Sequence, residues 1–142
     1  MKPRLVLDTN VILDLLVFQD PAAEVVRMAL DAKLVDAVRS EASMLELVDV
    51  IQRPIFKLSQ QEQEMILQAW ESLTRLLENT AIESAPFICR DLDDQIFLDM
   101  AYSIRPAVLF SKDLRVLELR VSAKGHGVEI TNQYDYLQAP SP

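Results

Sequence analysis

The sequence predicts a three-layer α/β/α domain with a mostly parallel central sheet. Short apolar runs alternate along the chain with longer segments in which apolar residues recur every three or four positions. Runs of the first kind are typical of buried strands, and segments of the second kind are typical of amphipathic helices. Because each strand is followed by a helix that crosses over to the next strand, the sheet is expected to be mostly parallel and covered on both faces.

Length and composition are consistent with a single domain. A chain of 142 residues, half of them hydrophobic, is long enough to bury a sizeable core. We expect one domain over residues 1–137 and a loose tail over residues 138–142. The sequence has no apolar stretch of the roughly 18 residues that cross a bilayer and no secretory signal core, which predicts a cytoplasmic protein. The single Cys89 forms no internal disulfide and has no neighbouring zinc ligands.

Composition also excludes several kinds of function. The only glycines, Gly125 and Gly127, come late in the chain, so it has no glycine-rich loop for a dinucleotide or a nucleoside triphosphate. A lone histidine, His126, excludes a ribonuclease mechanism that needs two histidines. The net charge of −8 makes the chain a poor candidate for holding nucleic acid by counterion release. The acidic excess fits either a solvated surface or carboxylates grouped around divalent cations, and net charge does not distinguish the two.

The first predicted element is a buried strand over residues 4–7 that ends at Asp8. A helical pattern begins at Val11, so Asp8 stands at the carboxyl end of a strand, where open α/β sheets bind their ligands. Asp8 or Asn10 is equally well explained as the N-cap of the helix. This stretch alone does not decide between the two readings.

The next elements continue the alternation. Helical spacing predicts a helix over residues 22–32, and a partly β-branched run predicts a strand over residues 34–38. Ser40 is expected to cap a third helix, which carries Glu46 and ends or bends at Pro54.

The second half of the chain repeats the same pattern. In order, it is predicted to contain a helix over 59–78, a strand over 80–83, a helix over 91–104, a strand over 107–110, a helix over 114–119 and a strand over 128–130.

Several acids follow or precede these elements at comparable places. Asp113 follows an apolar strand as Asp8 does, so both acids are expected at one edge of the sheet. Asp91 and Asp94 resemble a capping pair at the start of a helix, where the dipole favours acids. Asp94 also lies at the edge of the buried stripe of that helix, where an unpaired charge would be costly. The helical wheel places Asp93 nearer still to the centre of the stripe, so helical geometry alone does not choose between these two acids.

Four stretches of the chain match a known family when they are read together. They are residues 6–12 (Val-Leu-Asp-Thr-Asn-Val-Ile), residues 43–47 with 53–56, residues 91–94 with Phe97, Leu98 and Ala101, and residues 111–114. In this order and spacing they resemble a PIN domain. More narrowly, the chain is similar to the branch described as toxin components of bacterial toxin–antitoxin systems.

The resemblance implies a set of site residues. It selects Asp94 over Asp93, because the family's ligand is the acid seven residues before the matching alanine. The implied catalytic acids are Asp8, Glu46, Asp94 and Asp113. Of these, Asp8, Asp94 and Asp113 are expected to contact the metal directly, while Glu46 either completes the metal site or positions the attacking water. Asp91 is implied as an additional metal ligand, and Asn10 and Ser111 as the small polar residues that orient the acids and the water. The chain also departs from the pattern, since relatives often carry a second acid where this sequence has Arg115.

The implied activity is that of an endoribonuclease that depends on Mg²⁺ or Mn²⁺. Ligand sets made only of oxygen favour such hard cations over zinc. The implied partners are an RNA substrate, a cognate antitoxin and a second copy of the chain. The amphipathic helices over 22–32 and 59–78 are candidate partner surfaces. The most basic stretch is expected to contact flanking phosphates or to be scattered surface charge, and it consists of Lys112, Arg115, Arg120, Lys124 and His126.

Three other classes of function can be weighed for an acidic α/β domain, and two of them need a residue that this chain lacks. A phosphatase with a first-strand nucleophile would need an aspartate where this chain has Asn10, and a receiver-like domain would need a phosphoacceptor that is missing. A catalytically silent PIN scaffold that only binds a partner remains open at the level of sequence. An assay for cleavage of a mixed RNA pool with added manganese separates it from an enzyme.

Overall fold

The computed structural model describes residues 2–138, and it confirms the predicted fold class. Its central sheet has five strands, all parallel, in the order β3-β2-β1-β4-β5. The strands are β1 (Arg4–Leu7), β2 (Asp36–Arg39), β3 (Arg75–Leu76), β4 (Ala107–Phe110) and β5 (Val128–Thr131). The α-helices in the described residues are α1 (Thr9–Leu16), α2 (Glu24–Asp31), α3 (Glu41–Ile51), α4 (Gln60–Leu73), α5 (Gln95–Ser103), α6 (Leu114–Leu117) and α7 (Arg120–Lys124).

The described part of the chain ends shortly after the last strand. A 3-10 turn, Tyr134–Gln138, follows β5. Of the tail predicted over residues 138–142, all but Gln138 lies outside the described residues. Among the helices of residues 2–138, none has the length and apolar character needed to span a bilayer.

Each face of the sheet packs against its own apolar core. Leu5 and Leu7 of β1 point into one core, which contains the buried residues of α1, α2, α3 and α4. Val6 points into the other core with residues of α5 and α7. This alternation follows from the two-residue period of a strand, which places successive side chains on opposite faces. The arrangement is the predicted three-layer sandwich.

The order of the strands sets the position of the site. From β1 at the centre the chain moves outward to β2 and β3, and then crosses to β4 and β5 on the other side. The direction of winding therefore reverses between β1 and β4, where Leu7 pairs with Phe110 and the Asp8 amide donates to the Phe110 carbonyl at 3.1 Å. A crevice at such a switch point, beyond the carboxyl ends of the strands, is the usual ligand site of doubly wound sheets.

Ser40 caps a helix as predicted, and Ser59, the predicted start of the fourth helix, is a cap as well. Ser40 accepts a hydrogen bond from the Ser43 amide at 3.1 Å and precedes α3. Ser59 accepts one from the Glu62 amide at 3.0 Å and precedes α4. In each case the serine satisfies an amide that lacks a partner in the first turn.

The predicted end of the fourth helix is wrong. The helix expected over 59–78 ends at Leu73, and Arg75–Leu76 form β3 on the open edge of β2. The Leu77 amide extends this pairing by donating to the Arg39 carbonyl at 2.7 Å. The edge of β2 offers hydrogen-bonding groups that lie far away in sequence, and they override the local helical pattern.

Three other predicted elements differ from the structure in their type or their bounds. The strand expected over 80–83 is wrong, because Asn79–Ala81 form a 3-10 turn. The helix expected over 91–104 begins with the 3-10 turn Leu92–Asp94 before α5. The helix expected over 114–119 ends at Leu117 and is followed by α7.

Candidate active site

Asp8 is a buried carboxylate at the carboxyl end of β1, with only 4% of its surface exposed. Its Oδ1 accepts a hydrogen bond from the Val11 amide at 3.1 Å, so it caps α1, and its Oδ2 accepts one from the Ser111 hydroxyl. The pKa of Asp8 is raised to about 6, chiefly because burial disfavours the charged form; the two hydrogen bonds lower it, and the nearby Asp113 and Glu46 carboxylates contribute to the rise. Asp8 therefore caps the helix and also lies in the field of two other acids.

Ser111 connects the ends of the two central strands. It follows β4 and is fully buried. Its hydroxyl oxygen donates to Asp8 and accepts a hydrogen bond from the Asp113 amide at 3.2 Å. Asp113 in turn caps α6 by accepting from the Arg115 amide at 2.8 Å. One serine thus holds a carboxylate of β1 and the loop that carries the next acid.

Three further carboxylates lie close together at the same place. Asp91, Asp94 and Asp113 are each half-buried, and one carboxylate oxygen of each lies within 4.8 Å of the others. Asp91 caps the turn Leu92–Asp94 by accepting from the Asp93 amide at 3.1 Å, while Asp93 itself is exposed. The capping role predicted for Asp91 and the metal-ligand role implied by the resemblance are therefore compatible.

Asp94 is strongly affected by its neighbours. Burial raises the pKa of Asp94 to about 7, and the Asp113, Asp91 and Asp8 carboxylates add to this effect because like charges disfavour its ionisation. We refer to Asp91, Asp94 and Asp113 as the acidic trio.

Glu46 reaches the site from α3 and is held by a residue that the sequence reasoning did not single out. The Thr9 hydroxyl donates to Glu46 Oε2 at 2.6 Å. Asn10, expected to orient the acids, is exposed, and within residues 2–138 its side chain donates to none of these carboxylates. Thr9 lies between Asp8 and Asn10 in the sequence. Its contact with Glu46 depends on the packing of α1 against α3, which the local sequence does not reveal.

The donor set is suitable for a hard divalent cation. The acidic trio provides only oxygen ligands, and Mg²⁺ and Mn²⁺ prefer oxygen. Burial is the main cause of the raised pKa values of Asp8 and Asp94, and repulsion from the neighbouring carboxylates adds to it. A bound cation would remove this repulsion.

Two cations of the predicted basic stretch are already in ion pairs. The Lys112 ammonium contacts Asp14, and the Arg115 guanidinium lies 3.4 Å from Asp91 Oδ2. Arg115 therefore places a positive charge beside the acidic trio. The His126 ring packs next to Phe87, with ring centroids 5.9 Å apart.

A doubly wound parallel sheet with acids gathered at its switch point defines a class of α/β domains with a candidate metal centre. The family model described as the PIN domain matches residues 4–115, and the chain belongs to the PIN-domain family. A search of curated proteins finds no match to the chain. PIN domains are generally metal-dependent nucleases, and every site residue named above lies within the matched segment.

Proposed function

We propose that this chain is a metal-dependent endoribonuclease that hydrolyses RNA phosphodiester bonds and is the toxin component of a bacterial toxin–antitoxin system. The observation that carries the nuclease proposal is the acidic trio, with oxygens within 4.8 Å of one another at the same end of the sheet as Asp8 and Glu46. Membership of the PIN-domain family supports the same reaction class. The toxin role rests on the resemblance of the sequence to that branch.

The cation that fits this site is Mg²⁺ or Mn²⁺. Asp8, Asp94 and Asp113 are the candidates to hold it directly, with Asp91 as an additional ligand. Such an ion, when bound, stabilises the negative charge that develops on the phosphodiester and makes water a stronger nucleophile.

The remaining side chains orient the acids and handle protons. Ser111 holds Asp8 Oδ2, which keeps the buried carboxylate pointed towards the loop of Asp113. Thr9 holds Glu46 through Oε2, and the carboxylate then either completes the cation site or accepts a proton from the attacking water. Asn10 is exposed in the first turn of α1, and we propose that it orients the substrate or the attacking water rather than the carboxylates.

The test of the nuclease proposal is the substitution Asp8→Asn. This variant keeps the size of the side chain and an oxygen to cap α1, and it removes one charge from the cation site. We expect Mg²⁺- or Mn²⁺-dependent cleavage of a mixed RNA pool to fall by at least about 100-fold, as is common when a metal site loses a key group. Cleavage is followed on a denaturing gel, and the far-UV circular dichroism spectrum is expected to stay unchanged.

Asp49→Asn is the matched control for this substitution. Asp49 is an exposed aspartate on α3 that pairs with Arg53 at 3.2 Å, and its loss is expected to leave cleavage unchanged. Undiminished cleavage by Asp8→Asn would contradict the assignment of the site. If the unsubstituted chain cleaves no RNA at any manganese concentration, the chain is a silent scaffold.

The partners belong to the same proposal. We propose a small antitoxin as the partner, a homodimer as the assembly, and the cytoplasm as the compartment. Exposed methionines on the two predicted partner helices, Met28 on α2 and Met65 on α4, are candidate contacts. A short neighbouring reading frame that encodes a DNA-binding protein, and co-purification of its product with this chain, would be expected. Absence of both would contradict the toxin role but not the nuclease activity.

A further inference from the structure

The one acid within α1 is also buried. Asp14 has 6% of its surface exposed and lies on α1, the helix that Asp8 caps. Its Oδ2 accepts hydrogen bonds from the Lys112 ammonium and from the Tyr134 hydroxyl, the latter at 2.5 Å. Three separate segments therefore meet at one carboxylate: α1, the loop after β4, and the turn after β5. A buried charge is tolerated when it is paired and hydrogen-bonded in this way.

Lys112 lies between Ser111 and Asp113 in the loop after β4. Ser111, on one side of it, holds Asp8, and Asp113, on the other side, belongs to the acidic trio. The Lys112 side chain is 45% exposed, yet its ammonium is directed to Asp14. The ion pair therefore fixes the backbone that carries both neighbours.

Tyr134 supports the same loop from the C-terminal side. Its ring packs on Phe110, the last residue of β4, with ring centroids 6.1 Å apart. Burial, together with the negative charge of Asp14, raises the pKa of Tyr134, so the phenol stays protonated and donates to the carboxylate. Tyr134 lies beyond residues 4–115, the segment that the PIN-domain model matches.

We propose that Asp14 is a positioning residue of the metal site: through Lys112 and Tyr134 it holds residues 111–113 in the conformation in which Asp113 faces Asp91 and Asp94. The proposal rests on the cation-binding part of the proposed function. It assigns Lys112 to the scaffold and not to the RNA.

Electrostatics and positioning predict opposite signs for the substitution Lys112→Met. If Lys112 acted on the site only through its charge, its removal would tighten the binding of a divalent cation, because a repelling charge near Asp113 would be gone. If it positions the loop, its removal lets Asp113 move away from the trio, and binding weakens. The sign of the change in affinity therefore separates the two explanations.

The experiment is a titration of the full chain with Mn²⁺, in which free Mn²⁺ is measured by electron paramagnetic resonance. We expect Lys112→Met to weaken Mn²⁺ binding about tenfold, the usual effect of losing a group that orients a metal ligand. Tyr134→Phe, which removes one hydrogen bond and no charge, should weaken it by a smaller factor of about three. Unchanged or tighter binding by Lys112→Met would overturn the proposal. If that variant does not fold, unchanged binding by Tyr134→Phe overturns it.

Arg75→Met is the matched control. It removes the same charge from another ion pair, with Asp36 at 2.8 Å, at the opposite end of the sheet. Its affinity for Mn²⁺ should stay within about twofold of the unsubstituted chain, since exposed charges at that distance are screened. Mn²⁺ binding without RNA cleavage would contradict the nuclease proposal and leave this one standing, while no Mn²⁺ binding by the unsubstituted chain would overturn both.

Discussion

At the scale of single residues, two acids of the site resist ionisation. The pKa is about 6 for Asp8 and about 7 for Asp94, against an ordinary value of 3.8 for each. Between about pH 4 and pH 7 the folded chain therefore binds more protons at these groups than the unfolded chain does. Because of this difference, the free energy of unfolding contributed by the two groups falls as the pH rises through that window. The metal-free fold is expected to be destabilised by its own site at neutral pH.

Melting temperatures test whether the ionised acids lower the stability of the metal-free fold. In the presence of a chelator, we expect Asp94→Asn to melt at a higher temperature than the unsubstituted chain at pH 8, and at a similar temperature at pH 4. Added Mg²⁺ or Mn²⁺ should stabilise the unsubstituted chain more at pH 8 than at pH 5, because the cation binds the ionised carboxylates. Thermal unfolding followed by circular dichroism measures both effects.

The control for the pH prediction is the neighbouring acid. Asp93 is exposed, and Asp93→Asn should leave the pH dependence of the melting temperature as it is. If the Asp93 and Asp94 variants show the same pH dependence of the melting temperature, the raised pKa of Asp94 is contradicted.

At the scale of elements, the boundary between α4 and β3 shows how tertiary pairing overrides a local pattern. Leu76 and Leu77 fit the apolar spacing of the preceding helix, but Thr74 adopts an extended conformation and the chain pairs with β2. The two leucines then differ in burial. Leu77, directly after β3, is buried in the core that also contains Val38, and Leu76 is 44% exposed.

This boundary predicts different costs for two adjacent substitutions. Leu77→Ala should lower the free energy of unfolding by about 3 kcal/mol, the typical loss for a buried leucine. Leu76→Ala should lower it by less than about 1 kcal/mol, because its side chain is largely in contact with solvent. Urea denaturation measures both values. Similar losses at the two positions would contradict the extended conformation of this segment.

At the scale of the whole molecule, a single sheet lies between the two cores. β1 supplies Leu5 and Leu7 to one core and Val6 to the other, so neither core can be lost without disrupting the central strand. Such sharing is typical of a domain that unfolds as one unit.

The only tryptophan gives a direct test of this cooperativity. Trp70 is buried in the core formed with α1 and α2, so its fluorescence reports on that side of the sheet, while far-UV circular dichroism reports on both sides. We expect the two signals to follow one coincident transition in urea. A separate, earlier change in either signal would contradict the single domain proposed for residues 1–137.

The sequence by itself determined the features that depend on a few neighbouring residues. The alternation of strands and helices, the acids Asp8 and Asp113 that follow two strands, and the cap at Ser40 are all readable locally, because periodicity and capping act within one or two turns of chain. The choice of Asp94 over Asp93 came from the family resemblance, and the structure leaves Asp93 exposed.

Only the tertiary structure decided which side chains meet. It brings Asp91 next to Asp94 and Asp113, and it sets the Thr9 hydroxyl within hydrogen-bonding distance of Glu46. It also buries Asp14 against Lys112 and Tyr134, which are 98 and 120 residues away in sequence. An aspartate in the second turn of α1 looks like any solvated acid in the sequence, and its burial depends on how distant strands and turns pack around it. Contacts of this range follow from strand order and helix placement, which no local pattern contains.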